Sequence, residues 1–390
     1  MAIPLITLFV FAPLAGAVLL MLIPARAARV IQAIALTAAL VPLVAGTYVF
    51  FALPSVPASP PASLVPAPAA ARSSPGAAAA ARCGADLKFV EDEEWIDVLG
   101  LVSARYFLGV DGLSAPMLPL VAIVSFAVLL AAMGRSPPSR GTLALLLVFS
   151  TAANGIVCSL DFLLFAVFWG GAFIPLLFLA GSGGGAERTR AAVSLALAGV
   201  AGFALIVIVL LALQGATATN VRPAGTLNLP ELARRAGDFV RETPWLGGRA
   251  RFDQWLFGLL FVALAAPIAV LPFQGRWVRT LSRSFTPASA LLAGVLAPVG
   301  VYGLLRIAVP IFPSAAADFA FPLAILAAAG MLLGGLCARL ERDWKARAAR
   351  AAAVSMGGCL LGIATVSETG VQGALLQASG GGLAFAMLLL

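Results

Sequence analysis

The sequence predicts an all-α integral membrane protein with about eleven transmembrane helices. Three observations indicate this fold class. Hydrophobic residues make up 61% of the 390-residue chain, whereas charged residues make up only 11%. The mean hydropathy is +1.03, far above that of a soluble domain. The apolar residues also form runs close to the roughly 20 residues that a helix needs to cross the hydrocarbon core of a bilayer.

The N-terminal part of the chain predicts two spans followed by a long loop. Residues 1–53 contain two apolar runs, and no basic residue precedes the first one, so we expect it to be a retained span and not a signal peptide. Residues 54–110 predict an external loop that is rich in Pro and Ala and has low complexity. This loop contains the acidic segment EDEEW at Glu91 to Trp95, which is typical of a solvated face or an amphipathic surface segment.

Acidic residues stand at the borders of the later spans. In YFLGVDGLSAPMLPL, Asp111 or Ser114 is a candidate N-cap for the third span. Asp161 lies at the junction of the fourth and fifth spans, where an N-cap is again the expected role. Glu368 lies between the last two spans and is expected to be exposed to solvent.

The basic residues indicate membrane orientation and not nucleic-acid binding. The net charge is +8, but the arginines are scattered through connections and form no basic stripe with aromatic residues between them. Five short links that fall on one side of the membrane carry clusters of Arg and Lys, as cytoplasmic links do. We therefore expect the N-terminus and the two long loops, residues 54–110 and about 215–254, to lie outside.

Metal binding is not expected. The four cysteines show no CxxC spacing, and the chain contains no histidine that could complete a metal site.

Four stretches in order along the chain resemble the large antiporter-like membrane subunits of the proton-pumping NADH:quinone oxidoreductase. The likeness is closest to the M-type subunit, also called chain 4. The stretches are FLGVDGLS at Phe107 to Ser114, SLDFLLFAVFWGGAFIPLLFLAG at Ser159 to Gly181, TPASALLAGVLAPVGVYGLLR at Thr286 to Arg306, and GVQGALLQ at Gly370 to Gln377.

The resemblance implies a fold and a task. The fold would be an inverted-repeat bundle of about fourteen helices, in which one helix of each repeat is broken at mid-membrane. The resemblance implies such a break near Pro267, with a first antiporter-like bundle in residues 111–309 and a partial second repeat in residues 310–390. In the family, buried Glu, Lys and His side chains relay protons along the bilayer centre. Burying an ionisable group in a membrane is energetically costly, so such groups are retained only for function.

The residues of that relay are missing from this chain. The family motif FWE is FWG here, so a glycine replaces the membrane glutamate. Pro and Gln stand at a Lys and a His position around the helix break, and a second proline stands at a Lys position in the eighth span. Neither Pro nor Gly can hold a proton, and Gln and Ser can only hydrogen-bond to a water that does. The six non-ionisable positions are Gly170, Pro267, Gln274, Pro298, Ser355 and Gly381.

The sequence therefore predicts a membrane-arm subunit of a respiratory complex that acts structurally and lacks a proton relay of its own. Flavin, iron–sulfur clusters and quinone are expected in partner subunits, and the chain itself is expected to bind no cofactor. Two alternatives remain: a subunit of a multi-chain cation/proton antiporter or membrane-bound hydrogenase, and a degenerate paralogue outside any complex. The chain also stops at Leu390, about three helices short of the family pattern, so we expect either that the sequence is truncated or that the second repeat is incomplete.

Overall fold

The computed structural model describes residues 4–24, 27–53, 87–98, 102–135, 139–218, 225–239 and 251–390. These residues form a bundle of α-helices and one two-stranded β-hairpin. Most of the Pro/Ala-rich stretch, including Cys83, lies outside them, as does part of the second long connection.

The helices before residue 218 follow the apolar runs of the sequence. They are α1 (Leu5–Leu22), α2 (Ala28–Ala52), α3 (Met117–Arg135), α4 (Arg140–Cys158), α5 (Phe162–Gly181) and α6 (Ala186–Thr217). Local caps set some of the starts. The Ser139 hydroxyl accepts a hydrogen bond from the backbone N–H of Thr142 at 3.1 Å, and Asp161 caps α5 in the same manner.

The helices after residue 225 are shorter near the second long connection and long again towards the C-terminus. They are α7 (Leu229–Arg234), α8 (Phe252–Ile268), α9 (Gln274–Arg283), α10 (Thr286–Ile311), α11 (Pro313–Asp318), α12 (Ala320–Leu340), α13 (Trp344–Ala364) and α14 (Glu368–Leu389). The side chains of Asn228, Asp343 and Ser367 cap α7, α13 and α14.

Within the described ranges, nine helices are long and apolar enough to cross a membrane. The other two predicted spans are the helices α8 and α13. Helix α8 has only 17 residues because its helical winding ends at Ile268. The N-terminal part of α13 is polar because it carries Lys345, Arg347 and Arg350. The prediction of a multi-pass, mainly helical bundle is confirmed.

The predicted helix break near Pro267 is present. Helix α8 ends at Ile268, Ala269 takes a left-handed conformation with φ of 61°, and α9 starts at Gln274. Proline has no N–H to donate and its ring conflicts with the carbonyl four residues earlier, so a helix ends readily near it. The break ends the helix before the end of the span predicted over residues 255–274, and a short amphipathic helix follows it.

Helix α10 is the centre of the bundle, and the most apolar part of it is completely buried. Two wide turns interrupt its regular winding, in which Ala297 N–H donates to Leu292 O and Val309 N–H donates to Leu304 O. Each wide turn lies directly before a proline, Pro298 or Pro310. Such π-turns move the preceding carbonyl away from the proline ring, so the helix continues through both residues.

The C-terminal part of the long connection in residues 54–110 contains a β-hairpin that the sequence did not predict. Residues Lys88–Val98 form strand β1 and residues Val102–Val110 form strand β2, which pair antiparallel. Polar and apolar residues do not alternate regularly along this segment, because the pairing of the two strands contains register shifts. The acidic run further hides the strand pattern in the sequence. Each strand forms its backbone hydrogen bonds with the other strand, and the side-chain pattern of one strand alone does not reveal this pairing.

The acidic segment lies in β1, and its residues have different environments. Asp92, Glu93 and Trp95 are exposed, as the predicted solvated face requires. Glu91 is instead partly buried against α1, where its carboxylate accepts hydrogen bonds from the backbone N–H groups of Ile6 and Thr7 at 2.9 and 3.0 Å. The hairpin therefore caps the first helix from a distant part of the chain.

Contacts between connections define two sides of the bundle. On one side, Arg140 donates to Ile23 O at 3.0 Å and Lys345 donates to Ser284 O at 2.7 Å, so the arginine-bearing links lie together. On the other side, Leu160 N–H donates to Phe107 O at 2.9 Å and joins the hairpin to the link before α5. We call these the short-link side and the long-connection side.

Candidate functional site

Gly170 lies in the first half of α5, at the position where the sequence resemblance predicts the glutamate of the family. A Cβ atom here would lie 2.8 Å from Cδ2 of Phe203 on α6, closer than real side-chain contacts. The adjacent Trp169 is fully buried and stacks on Phe165, with 5.9 Å between ring centroids. The Phe203 ring therefore occupies the space that a side chain at residue 170 would need.

Gln274 lies at the other end of the helix break and is buried. Its side-chain amide donates a hydrogen bond to the backbone carbonyl of Gly330 in α12, with 3.2 Å between nitrogen and oxygen. A neutral amide can satisfy a helix carbonyl in this manner, but it neither takes up nor releases a proton near neutral pH. This position therefore joins α9 to α12.

Pro267 packs against α10, and Pro298 lies within α10. Cγ of Pro267 lies 3.2 Å from where a Cβ atom of Gly300 would stand, two residues along from Pro298. Cγ of Pro298 lies 2.7 Å from where a Cβ atom of Gly382 in α14 would stand. Helices α8, α10 and α14 are therefore in contact along one row.

Ser355 and Gly381 continue this row into α13. The Ser355 hydroxyl accepts a hydrogen bond from the side-chain amide of Gln377 at 2.8 Å, and a Cβ atom at Gly381 would lie 2.7 Å from that hydroxyl. The structure thus brings four of the six predicted positions into one row across α8, α10, α14 and α13. Gly170 faces α6 and Gln274 faces α12, so these two are not joined to the row by the contacts above.

A buried ion pair joins Asp111 to Arg306. One carboxylate oxygen of Asp111 contacts the Arg306 guanidinium, and the two side chains are 5% and 4% exposed. The other carboxylate oxygen accepts hydrogen bonds from the backbone N–H groups of Leu113 and Ser114 at 3.2 and 2.9 Å. The pair fastens the segment that leads into α3 to the central helix α10.

Arg306 was missed by the sequence analysis, although a signal was present. It is a charged residue inside an otherwise apolar helix, and such a residue needs an acidic or carbonyl partner. Asp111, an acid at a span border, was available for that role. Because a guanidinium keeps its proton in proteins, the pair can clamp but cannot relay protons.

Asp161 is buried at the start of α5, just before the span. Its carboxylate accepts hydrogen bonds from the backbone N–H groups of Leu163 and Leu164 at 2.9 and 3.2 Å, which is an N-cap. Burial raises the pKa of Asp161 to about 7, against the opposing effect of these backbone hydrogen bonds. Glu368 is exposed in the first turn of α14.

Several polar groups that the sequence analysis did not select are also buried. Asp253, in the first turn of α8, pairs with Arg251 at 3.2 Å. The Asn154 side chain in α4 donates to Phe9 O at 3.0 Å, which joins α4 to α1. The amide of Asn154 can hydrogen-bond to water but does not ionise near neutral pH.

Residues 159–390 match the family model described as NADH:quinone oxidoreductase/Mrp antiporter, TM. The chain belongs to this family. The family assignment from the four sequence stretches is therefore confirmed, and the matched region begins at the Ser159 stretch quoted above.

Curated relatives carry names from the quinone oxidoreductase branch of the antiporter-like family. NAD(P)H-quinone oxidoreductase chain 4 2 of Microcystis aeruginosa is 30% identical over 305 residues, which are 78% of this chain and 52% of the relative. NADH-quinone oxidoreductase subunit M of Rickettsia felis is 27% identical over 294 residues, which are 74% and 55% of the two chains. The chain thus spans about half the length of the curated relatives that it matches.

Solved structures of antiporter-like chains share the fold. A chain of respiratory complex I from Thermus thermophilus aligns with a TM-score of 0.76 and 22% identity, covering 98% of this chain and 70% of that one. A chain of the Mrp complex from Dietzia sp. DQ12-45-1b aligns with a TM-score of 0.76 and 20% identity, covering 100% and 64%. Both likenesses describe the fold of the bundle.

Proposed function

We propose that this chain is a membrane-arm subunit of a respiratory complex of the NADH:quinone oxidoreductase type in a bacterial cytoplasmic (inner) membrane. Membership of the antiporter-like family and the names of its relatives support this assignment. In this proposal, flavin, iron–sulfur clusters and quinone belong to partner subunits, and this chain has no redox centre of its own. Its contribution to proton translocation is to hold the membrane arm together.

The observation that supports a structural role is the distribution of buried charge. In the described part of the chain, the charged side chains that are buried are Asp111, Asp161, Asp253 and Arg306. Asp161 and Asp253 precede or begin α5 and α8, and Arg306 lies near the end of α10, so all four lie towards the long-connection side. The six family positions carry no group that can bind a proton. A relay along the bilayer centre would lack its carriers.

We further propose the arrangement expected from the sequence: a first antiporter-like bundle in 111–309 and a partial second repeat in 310–390. The short-link side would face the cytoplasm, because its links carry basic residues such as Arg140, Arg283 and Lys345. The N-terminus and both long loops would then lie outside. Labelling of single introduced cysteines with a membrane-impermeant reagent in intact cells tests this orientation.

Proton conduction by the chain itself is tested in sealed vesicles. The purified full chain is reconstituted with a pH-sensitive dye inside, and an acidic gradient is imposed. We expect the gradient to decay as slowly as in protein-free vesicles, and to collapse only when an ionophore is added. Fast decay that is abolished by Asp161→Asn would contradict the proposal, because it would identify a working carrier in this chain.

Membership of a complex is tested by gentle solubilisation of native membranes. We expect the chain to migrate within an assembly of several hundred kilodaltons together with flavin and iron–sulfur subunits. Migration near its own mass of 39.7 kDa would favour the degenerate paralogue.

A multi-chain cation/proton antiporter is the second candidate, because the fold matches the Mrp chain as well as the complex I chain. In that case the co-migrating proteins would be small antiporter subunits without redox cofactors. A subunit of a membrane-bound hydrogenase would instead co-migrate with metal-containing hydrogenase subunits.

A further inference from the structure

A groove runs between α6, α8 and α9 on the short-link side. It consists of two adjoining cavities of about 360 and 430 Å³, which share Ser194, Leu197, Arg276 and Thr280 along their common border. One cavity is mainly apolar, whereas the other carries four arginine side chains on its lining. The groove therefore changes character from one end to the other.

The apolar end is a slot along α6. Leu197, Ala201 and Leu205 line it on α6, and Val262 and Ala266 line it on α8. From Leu197 to Leu205 the slot covers about 12 Å of helix, at about 1.5 Å per residue. Leu197 is 60% exposed and Val262 is 41% exposed, so the slot opens towards the lipid. The small side chains of Ala201 and Ala266 leave a depression between the two helices.

The basic end is formed mainly by one face of α9. Arg276, Arg279 and Arg283 project from it at helical spacing, and Arg190 of α6 lies opposite. Glu187 pairs with Arg190 at 2.8 Å and also contacts Arg283. Within the described ranges, Arg276 and Arg279 have no acidic partner in ion-pair contact. Four arginines against one glutamate leave this end strongly positive.

We propose that this groove binds an anionic phospholipid. The headgroup phosphate would lie on Arg276 and Arg279, whose guanidinium groups can donate paired hydrogen bonds to phosphate oxygens. One acyl chain would fill the slot between α6 and α8. A free phosphate would use only the basic end, whereas a lipid uses both, and basic pockets between transmembrane helices are suited to anionic headgroups. A protein partner would have to insert a chain-like apolar segment into the slot.

Trp277 provides a probe because its ring lines the same groove. The full chain is reconstituted in phosphatidylcholine vesicles that contain increasing fractions of phosphatidylglycerol brominated in its acyl chains. Subtracting the signal of Trp277→Phe isolates the fluorescence of Trp277. We expect brominated phosphatidylglycerol to quench this fluorescence at a mole fraction several-fold lower than brominated phosphatidylcholine.

Variants separate the two ends of the site. In Arg276→Ala/Arg279→Ala the half-quenching fraction should rise by about 5-fold for each arginine removed. The matched control, Arg339→Ala/Arg342→Ala, removes two exposed arginines, one in the last turn of α12 and one in the α12–α13 link, and should leave that fraction unchanged. Ala201→Phe fills the exposed slot and should reduce quenching even though all arginines remain.

Three outcomes would overturn the proposal. The first is equal quenching by both brominated lipids in the unaltered chain. The second is complete relief of quenching by millimolar inorganic phosphate, since it would assign the site to a free anion. In the third, Arg276→Ala/Arg279→Ala leaves quenching intact but releases the chain from its assembly, which would assign the groove to a protein partner. None of these outcomes bears on proton conduction, so the two proposals fail separately.

Discussion

Replacing Asp111 by asparagine removes the carboxylate that pairs with the Arg306 guanidinium inside the bundle. Asparagine keeps an oxygen that can accept the hydrogen bonds from Leu113 and Ser114, so the change is mainly a loss of charge. With the two side chains only 5% and 4% exposed, water cannot replace the lost partner. Breaking a buried pair from one side costs about 3–5 kcal/mol, and we expect the free energy of unfolding to fall by that amount.

Thermal unfolding in detergent, followed with a thiol-reactive fluorophore, provides the assay. Cys158 and Cys359 are buried and should react only as the bundle opens. Midpoints are compared at one scan rate, because unfolding of such proteins is often irreversible. The matched control is Asp238→Asn, an exposed aspartate on the same side, which should change stability by no more than about 0.5 kcal/mol.

A second variant separates charge from packing. In Asp111→Leu/Arg306→Met both charges are replaced by apolar side chains, a change that is often neutral or stabilising for a buried pair. We therefore expect the double variant to be more stable than Asp111→Asn. A loss below about 1 kcal/mol in Asp111→Asn, or a double variant as unstable as the sum of its single changes, would refute the reasoning.

Three other perturbations follow from the same geometry. Because the folded chain keeps the Asp161 proton up to its raised pKa of about 7, and the unfolded chain loses it near 3.8, the free energy of unfolding should fall as pH rises between these values. Asp161→Asn should remove that part of a stability profile measured by thermal unfolding. Gly170→Glu should lower the unfolding midpoint by a cost of about 1–3 kcal/mol, because the ring of Phe203 must move. Adding Phe203→Ala should recover part of the loss, and no recovery would argue against the contact. Gly382→Val should loosen the packing of α10 and α14 and lower the midpoint, because its Cβ would lie 2.8 Å from a backbone oxygen of Gly294, whereas Gly380→Ala, which meets nothing within 4 Å, should be tolerated. Equal unfolding midpoints for these two glycine variants would contradict the close packing of α10 against α14.

The helical spans were predictable because each is a contiguous apolar run, and helix formation is a local property of such a run in a membrane. The break near Pro267 was predictable only from the family resemblance, because Pro13, Pro42 and Pro175 lie inside helices that continue past them. The assignment of Gly170 and Pro298 to relay positions rests on the family motif and stays a prediction. The wide turns that carry α10 past its prolines leave no clear mark in the sequence.

The hairpin and the Asp111–Arg306 pair could not be found by local pattern. Strand β1 pairs with β2 through backbone groups, and its acidic side chains resemble those of a solvated loop. Asp111 and Arg306 are separated by 195 positions, so their contact depends on the folded bundle. The contact of Phe203 with Gly170 likewise arises from two different helices.

The carboxylate of Glu91 at the first turn of α1 has a consequence for biosynthesis. Pro4, which precedes that helix, offers no side-chain acceptor, and Glu91 lies 85 positions after Ile6. At about 5–20 residues per second, a ribosome needs about 4–17 seconds to supply this acceptor after the helix has emerged. During that interval the amide groups of the first turn depend on interfacial water, and this turn is capped only when the hairpin docks.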